Sequence, residues 1–144
     1  MSLTVSIVLS FILTFINQFN HSLETAFLQN DPEQVAQLFP ASSPVLITLP
    51  EPFQISDFFS REQAKLIMKR LFRQTSTLEF FIDQESQPVI DSRGAIIQAR
   101  WSMVDRTDRR KYLFRFYMYV TPEEKNFQGK PLRLKIRELR AEKR

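Results

Sequence analysis

The chain has 144 residues, no cysteine, only two glycines and a single histidine. Without cysteine there is no disulfide framework, no thiol nucleophile and no thiolate-held zinc or iron–sulfur centre. One histidine excludes every mechanism that needs two. No glycine-rich loop is present to cradle a phosphate, and no His/Asp/Glu spacing suits a metal. The first sixty residues also lack lysine and arginine altogether, and their acids are Glu24, Asp31, Glu33, Glu51 and Asp57. All 20 basic residues therefore fall in 61–144, against 11 acids, a net charge of +9. Such asymmetry suggests either an anionic partner for the C-terminal part or two halves that pack together and neutralise each other. The second reading is favoured, because net charge speaks of solubility and steering rather than of a site.

What is present fits one globular domain: 43% of residues are apolar and 25% charged. A chain of this length buries roughly 68–70% of its unfolded surface. Residues 3–16 read LTVSIVLSFILTFI. No cationic stretch precedes them and no small-residue cleavage site follows, so a cleaved secretory signal is poorly supported. As a helix they would reach about 21 Å, short of a ~30 Å hydrocarbon core. Ser2, Ser6, Ser10, Thr14, Asn17, His21 and Glu24 recur at steps of four or three, the polar stripe of one continuous helix. Ser6, Ser10 and Thr14 also fit the small-residue spacing of packed membrane helices. Three readings stand: a signal or membrane anchor making contact through residues 1–16, a first helix packed on its own domain or a second copy, or a mis-assigned start. An exported or membrane-associated location is favoured over a cytoplasmic one.

The apolar face continues through Ile16, Phe19, Leu23, Ala26 and Phe27, which predicts a first helix ending near Gln29 at the Asn30-Asp31 break. Asp31 then caps a short second helix with Pro32 at its first position. Val45–Leu49 reads as a strand. Pro50 and Pro52 make a bend, and Phe53–Phe59 reads as a partly paired edge segment. Ser60-Arg61-Glu62-Gln63 is a capping box, and Ala64, Ile67, Met68, Leu71 and Phe72 form the buried face of a third helix. Four strands follow, Thr77–Asp83, Ala95–Val104, Lys111–Val120 and Leu132–Leu139, joined by turn-forming segments that include Pro122–Gly129. The fold class is α+β, with three helices on one face of a curved, mainly antiparallel meander.

Period-two alternation separates the sheet faces. The helix-facing set is Leu78, Phe80 and Ile82; Ile97, Ala99, Trp101 and Met103; Tyr112, Phe114, Phe116, Met118 and Val120; and Leu132, Leu134 and Ile136. The outer face carries Thr77, Glu79, Phe81 and Asp83, then Gln98, Arg100 and Ser102, then Arg115, Tyr117 and Tyr119, then Arg133, Lys135 and Arg137. Its last three strands are basic and aromatic.

This order of elements resembles the nuclear transport factor 2-like, cystatin-like cone, and is most similar to small uncharacterised bacterial proteins of that fold, often exported. The resembling pieces are SLETAFLQNDPEQVAQLFP, VLITLP, SREQAKLIMKRLF, KYLFRFYMYV and LRLKIRELR, spanning roughly 19–140. The division expected is an apolar segment over 1–14, one domain over 15–140 and a charged tail over 141–144. The resemblance implies a scaffold that hosts isomerases, dehydratases, transport adaptors and ligand-binding accessory domains, so it does not decide function. Isomerases of the cone use a carboxylate base with tyrosine or protonated-acid donors in an apolar pocket.

Against that pattern the candidates here are poor. The core-facing polar groups are Tyr112, Trp101 and Glu138, with Glu138 at a strand end. His21 lies on a solvated stripe, Asp57 has no orienting neighbour in sequence, and Asp105 and Asp108 read as turn formers. No catalytic residue and no cofactor is assigned, and a binding or assembly role is preferred to an enzymatic one. If the inner face leaves a cavity, Trp101, Tyr112, Phe114, Phe116 and Met118 line it for a small apolar ligand; alternatively the 14 phenylalanines fill it. The outer set Arg100, Arg115, Tyr117, Tyr119, Arg133, Lys135 and Arg137 suits a homodimer interface, which the resemblance favours. It could otherwise be a solvated face with cross-strand ion pairs such as Glu79 with Arg100. Nucleic acid is the weaker alternative, because KYLFRFYMYV lacks the glycines of a sheet-type RNA-binding motif.

Overall fold

A computed structural model describes residues 3–83, 89–90, 93–123 and 133–144, with the side chains of 5–12 and 89 outside that description. The first helix, α1, runs Leu3–Leu28, about 39 Å at 1.5 Å per residue. It ends where the sequence predicts. Asn30 takes a left-handed φ of 50°, while the Asp31 amide reaches back to the Ala26 carbonyl and the Asn30 amide to that of Phe27. These two bonds satisfy last-turn carbonyls in a Schellman arrangement. Asp31 immediately caps α2 (Pro32–Ala36), its carboxylate accepting from the Glu33 and Gln34 amides.

Strands β1 (Val45–Leu49) and β2 (Ile55–Phe59) form a hairpin, and α3 covers Arg61–Gln74. Ser60 accepts from the Gln63 amide, and the Gln63 side chain accepts from the Ser60 amide in return. The meander follows: β3 (Thr75–Ile82), a short β4 (Val89–Ile90), β5 (Ala95–Asp105), β6 (Lys111–Pro122) and β7 (Leu134–Lys143). The sheet order is β2-β1-β7-β6-β5-β3, with β4 added beside β5. Only the β1–β7 pairing is parallel among the pairs described. Three helices against one curved, mostly antiparallel sheet is the expected α+β class. The expected turn over Pro122–Gly129, after Glu123, and the inward position of Leu132 lie outside the described residues.

One core cluster joins the inner sheet face to α1, α2 and α3. Phe27 of α1 anchors it, stacking on Phe80 at 4.3 Å between ring centroids and meeting Phe72, Trp101 and Phe116 edge-on. Helix α1 also seals the open edge of β3. The Glu24 carboxylate accepts from the Ile82 amide and the Asn30 side chain from the Thr77 amide. An edge strand's free amides would otherwise be a template for further pairing.

Two irregularities change the predicted faces. A bulge between Thr77 and Glu79 turns Leu78 outward, where it is 48% exposed rather than in the core. A second bulge, opposite Tyr119 and Val120, inserts Arg137 into β7. The inward set of that strand therefore passes from Ile136 to Leu139 and Ala141. Strand β7 also reaches further than expected. Lys143 pairs with Phe114, so 141–143 are ladder residues and not a free tail. At the other end of the chain, Leu3 is 80% exposed, and Ile16 is the first core residue among the side chains described. Among the described residues no helix is long and apolar enough to cross a membrane.

Candidate functional site

Five residues were expected to line a pocket. The structure brings them together, but as mutual packing partners. Trp101, Phe114, Phe116 and Met118 are fully buried and Tyr112 nearly so. The Trp101 ring lies within 6.3 Å, centroid to centroid, of Phe27, Phe53, Phe72, Phe114 and Phe116. Its indole N–H donates to Thr77 Oγ1 at 3.0 Å. Rings at these separations touch edge and face, so the space between helices and sheet is occupied by the phenylalanines themselves.

The outer face is built by the even positions of β5, the odd positions of β6 and, beyond the Arg137 bulge, the even positions of β7. Arg100 lies directly opposite Arg115, Gln98 opposite Tyr117 and Ile96 opposite Tyr119. On the other side Arg115, Tyr117 and Tyr119 face Glu142, Arg140 and Glu138. The Arg140 guanidinium sits 5.0 Å from the Tyr117 ring centroid, and that of Arg100 sits 5.8 Å from Phe81. Phe81, and not Glu79, is therefore the cross-strand neighbour of Arg100. Like charges directly opposite are unfavourable in a ladder, and each of Arg100 and Arg115 holds a buried Nε with no hydrogen-bond partner among the described residues. Apolar surface flanks them at Phe81 and Ile96, 42% and 41% exposed.

Two of the expected outer-face residues, Arg133 and Lys135, also line a cleft, while Arg137 bonds beside Thr121 of β6. Lys135 is only 8% exposed, and its Nζ donates to the Gln37 carbonyl at 2.6 Å. Arg137 donates to Thr121 Oγ1 and Ser43 Oγ. Arg133 is exposed beside Lys135. The cause is local. Ahead of the bulge, β7 pairs with the chain leaving α2, the Ile136 amide bonding to the Leu38 carbonyl. This carries 133–135 to the helix end of the molecule.

There they form one wall of a cleft of about 580 Å³, whose other walls are α1 from Phe15 to Thr25 and the segment Gln34–Leu38. Burial pushes the Lys135 ammonium below the usual lysine range, Arg61 adds to the effect, and Glu123 opposes it. Arg61 is itself committed, donating from Nε and Nη2 to the Phe39 carbonyl. His21, read from the sequence as a solvated residue, is exposed on the α1 wall.

The groups weighed for catalysis do not converge. Asp57 is exposed and accepts from the next amide, that of Phe58. Asp105 accepts from the Thr107 and Asp108 amides, and Asp108 from the Arg110 amide, so both hold the β5–β6 turn. Glu138 faces outward opposite Tyr119. No cluster suited to a metal ion occurs among the described residues.

No family model and no curated protein matches this chain. Solved structures do. A ketosteroid isomerase-like protein from Erwinia carotovora atroseptica aligns with TM-score 0.63 and 10% identity, over 93% of this chain and 94% of that one. A domain of unknown function with a cystatin-like fold from Nostoc punctiforme gives 0.63 and 12%, over 92% and 77%. An NTF2-like protein of unknown function in nutrient uptake from Rhodospirillum rubrum gives 0.61 and 13%, over 90% and 98%. The chain has the nuclear transport factor 2-like fold. The inner face of this nuclear transport factor 2-like cone carries packed rings, and Asp57, Asp105, Asp108 and Glu138 lie away from them. Of the surfaces described, the outer sheet face presents the unpartnered Nε atoms of Arg100 and Arg115, and the α1–α2–β7 cleft presents the cations Arg133 and Lys135.

Proposed function

We propose that the protein is a non-catalytic binding and assembly module that associates with a second copy of itself through the outer face of β3, β5, β6 and β7. The observation that carries this reading is the opposed pair Arg100 and Arg115, each with a buried Nε that has no hydrogen-bond partner among the described residues, set among apolar and aromatic groups. Across the middle of the face Arg100, Arg115 and Arg140 interleave with Glu79, Glu138 and Glu142. A surface with interleaved charges of both signs is complementary to itself under a two-fold axis, whereas a polyanion would need cations in excess. Tyrosine and arginine are also the residue types that dominate interface energetics.

Sedimentation of the full chain at tens of micromolar tests the reading. The parent should run as a dimer. Tyr117→Glu should run as a monomer with native circular dichroism, because the new carboxylate would be buried without a designed partner or would hold the subunits apart. A monomeric parent, or a variant that stays dimeric, overturns it.

A further inference from the structure

The cleft beside α1 has a composition of its own. Its apolar wall is made by Phe15, Phe19, Leu38 and Leu134, and among the described residues its charged groups are the cations Arg133 and Lys135, with no carboxylate on the lining. Lys135 carries an ammonium with three N–H donors. The Gln37 carbonyl takes one of them, and no second acceptor is bonded to it among the described residues. Glu123, the acid that bears on Lys135, is directed elsewhere, accepting from the Ala41 amide at 3.0 Å. A buried cation with donors left over is costly unless an acceptor arrives.

We propose that this cleft binds a small organic carboxylate, its anionic end on Lys135 and Arg133 and its hydrocarbon body against Phe19, Leu38 and Leu134. A volume of about 580 Å³ is within the range of small-molecule sites, which are mostly apolar with a few placed polar groups. Lys135 and Arg133 supply the charged donors for the carboxylate. Ser22, Thr25 and Gln34 are at hand for further polar contacts. The site is independent of the outer face, and neither reading rests on the other.

Calorimetric titration of the full chain with octanoate, 1-octanol and octylamine tests it, since the three probes share a tail and differ in head-group charge. Octanoate should bind about ten- to a hundredfold more tightly than octanol, the range that charge-assisted hydrogen bonds span. Octylamine should bind most weakly. Lys135→Met should bring octanoate down to the affinity of octanol, and Tyr117→Glu should leave octanoate unchanged. Should Lys135→Met not fold, amide shifts of the parent replace it: octanoate should move Ser22, Gln37 and Leu134. Equal affinity for octanoate and octanol, an unaffected Lys135→Met, or shifts confined to other residues would overturn the proposal.

Discussion

Ser60 acts on its own helix: its hydroxyl accepts the Gln63 amide at 3.2 Å while Gln63 returns a bond to the Ser60 amide. Ser60→Ala should therefore lose about 0.5–2 kcal/mol, read as a lower urea midpoint with unchanged slope. Asp105 works across a greater span, tying the β5–β6 turn to the end of α3 through Gln74. Its carboxyl is held below the usual carboxylate value by the Thr107 amide first and the Gln74 side chain second. A carboxyl whose folded pKa is depressed stabilises at pH above its unfolded value and loses that contribution as pH falls through the folded one. The stability gap between the parent and Asp105→Asn should thus narrow as pH drops from about 5 towards 2, and a gap that stays constant would remove the carboxylate's charge from the account. Phe116 and Tyr117 make a third comparison. Phe116 is buried among rings while Tyr117 faces outward, so Phe116→Ala should cost about 3–5 kcal/mol and Tyr117→Ala clearly less at concentrations where the chain is monomeric. Thermal or urea unfolding of the two variants ranks them.

At the scale of elements, register decides which side chains share a face. The alternation in β5 and β6 was legible because both strands keep period two without interruption. Strand β7 breaks it, and the sequence carried a faint sign: Ile136 and Leu139, both buried, are three positions apart rather than two. Ahead of the bulge the alternation of Leu134 and Ile136 holds, with Lys135 opposite Thr121, but alternation alone does not show that the Lys135 ammonium ends on the Gln37 carbonyl. No such spacing marks the β3 bulge, where Leu78 is an apolar residue in solvent. The cleft was not legible at all, since Lys135 meets Gln37 across 98 positions of sequence and only the folded chain brings them together. One close approach does belong to a single residue. A Cβ added at Gly94 would lie 2.1 Å from the Val120 carbonyl oxygen, a backbone atom of β6. Gly94→Ala must push β5 from β6 at their Ala95–Val120 end. It should cost about 1–3 kcal/mol, the usual penalty of overpacking, with faster amide exchange at Ala95 and Val120 as the local signature.

For the whole molecule, the open question is what the first turns of α1 do. Helix formation is cooperative, and a helix gains most of its stability from the face it buries. Among the α1 side chains described, that face comprises Ile16, Phe19, Leu23, Ala26 and Phe27. The side-chain bonds to β3 come from Glu24, in the second half of α1, and from Asn30, just past its end. Leu3 and Leu13 are exposed and outside the core cluster. A chain lacking residues 1–14 should therefore keep the core, the sheet and the Phe27 ring contacts, and melt within a few degrees of the full chain. A loss of about 1 kcal/mol would already lower the midpoint by roughly 2–8 °C in a domain of this class, so the measurement resolves even a modest contribution. Association gives a second readout. If copies meet through the outer sheet face, the shortened chain keeps its dimer mass and Tyr117→Glu still abolishes it. A shortened chain that melts normally but sediments as a monomer would move the interface from the sheet to the first turns of α1.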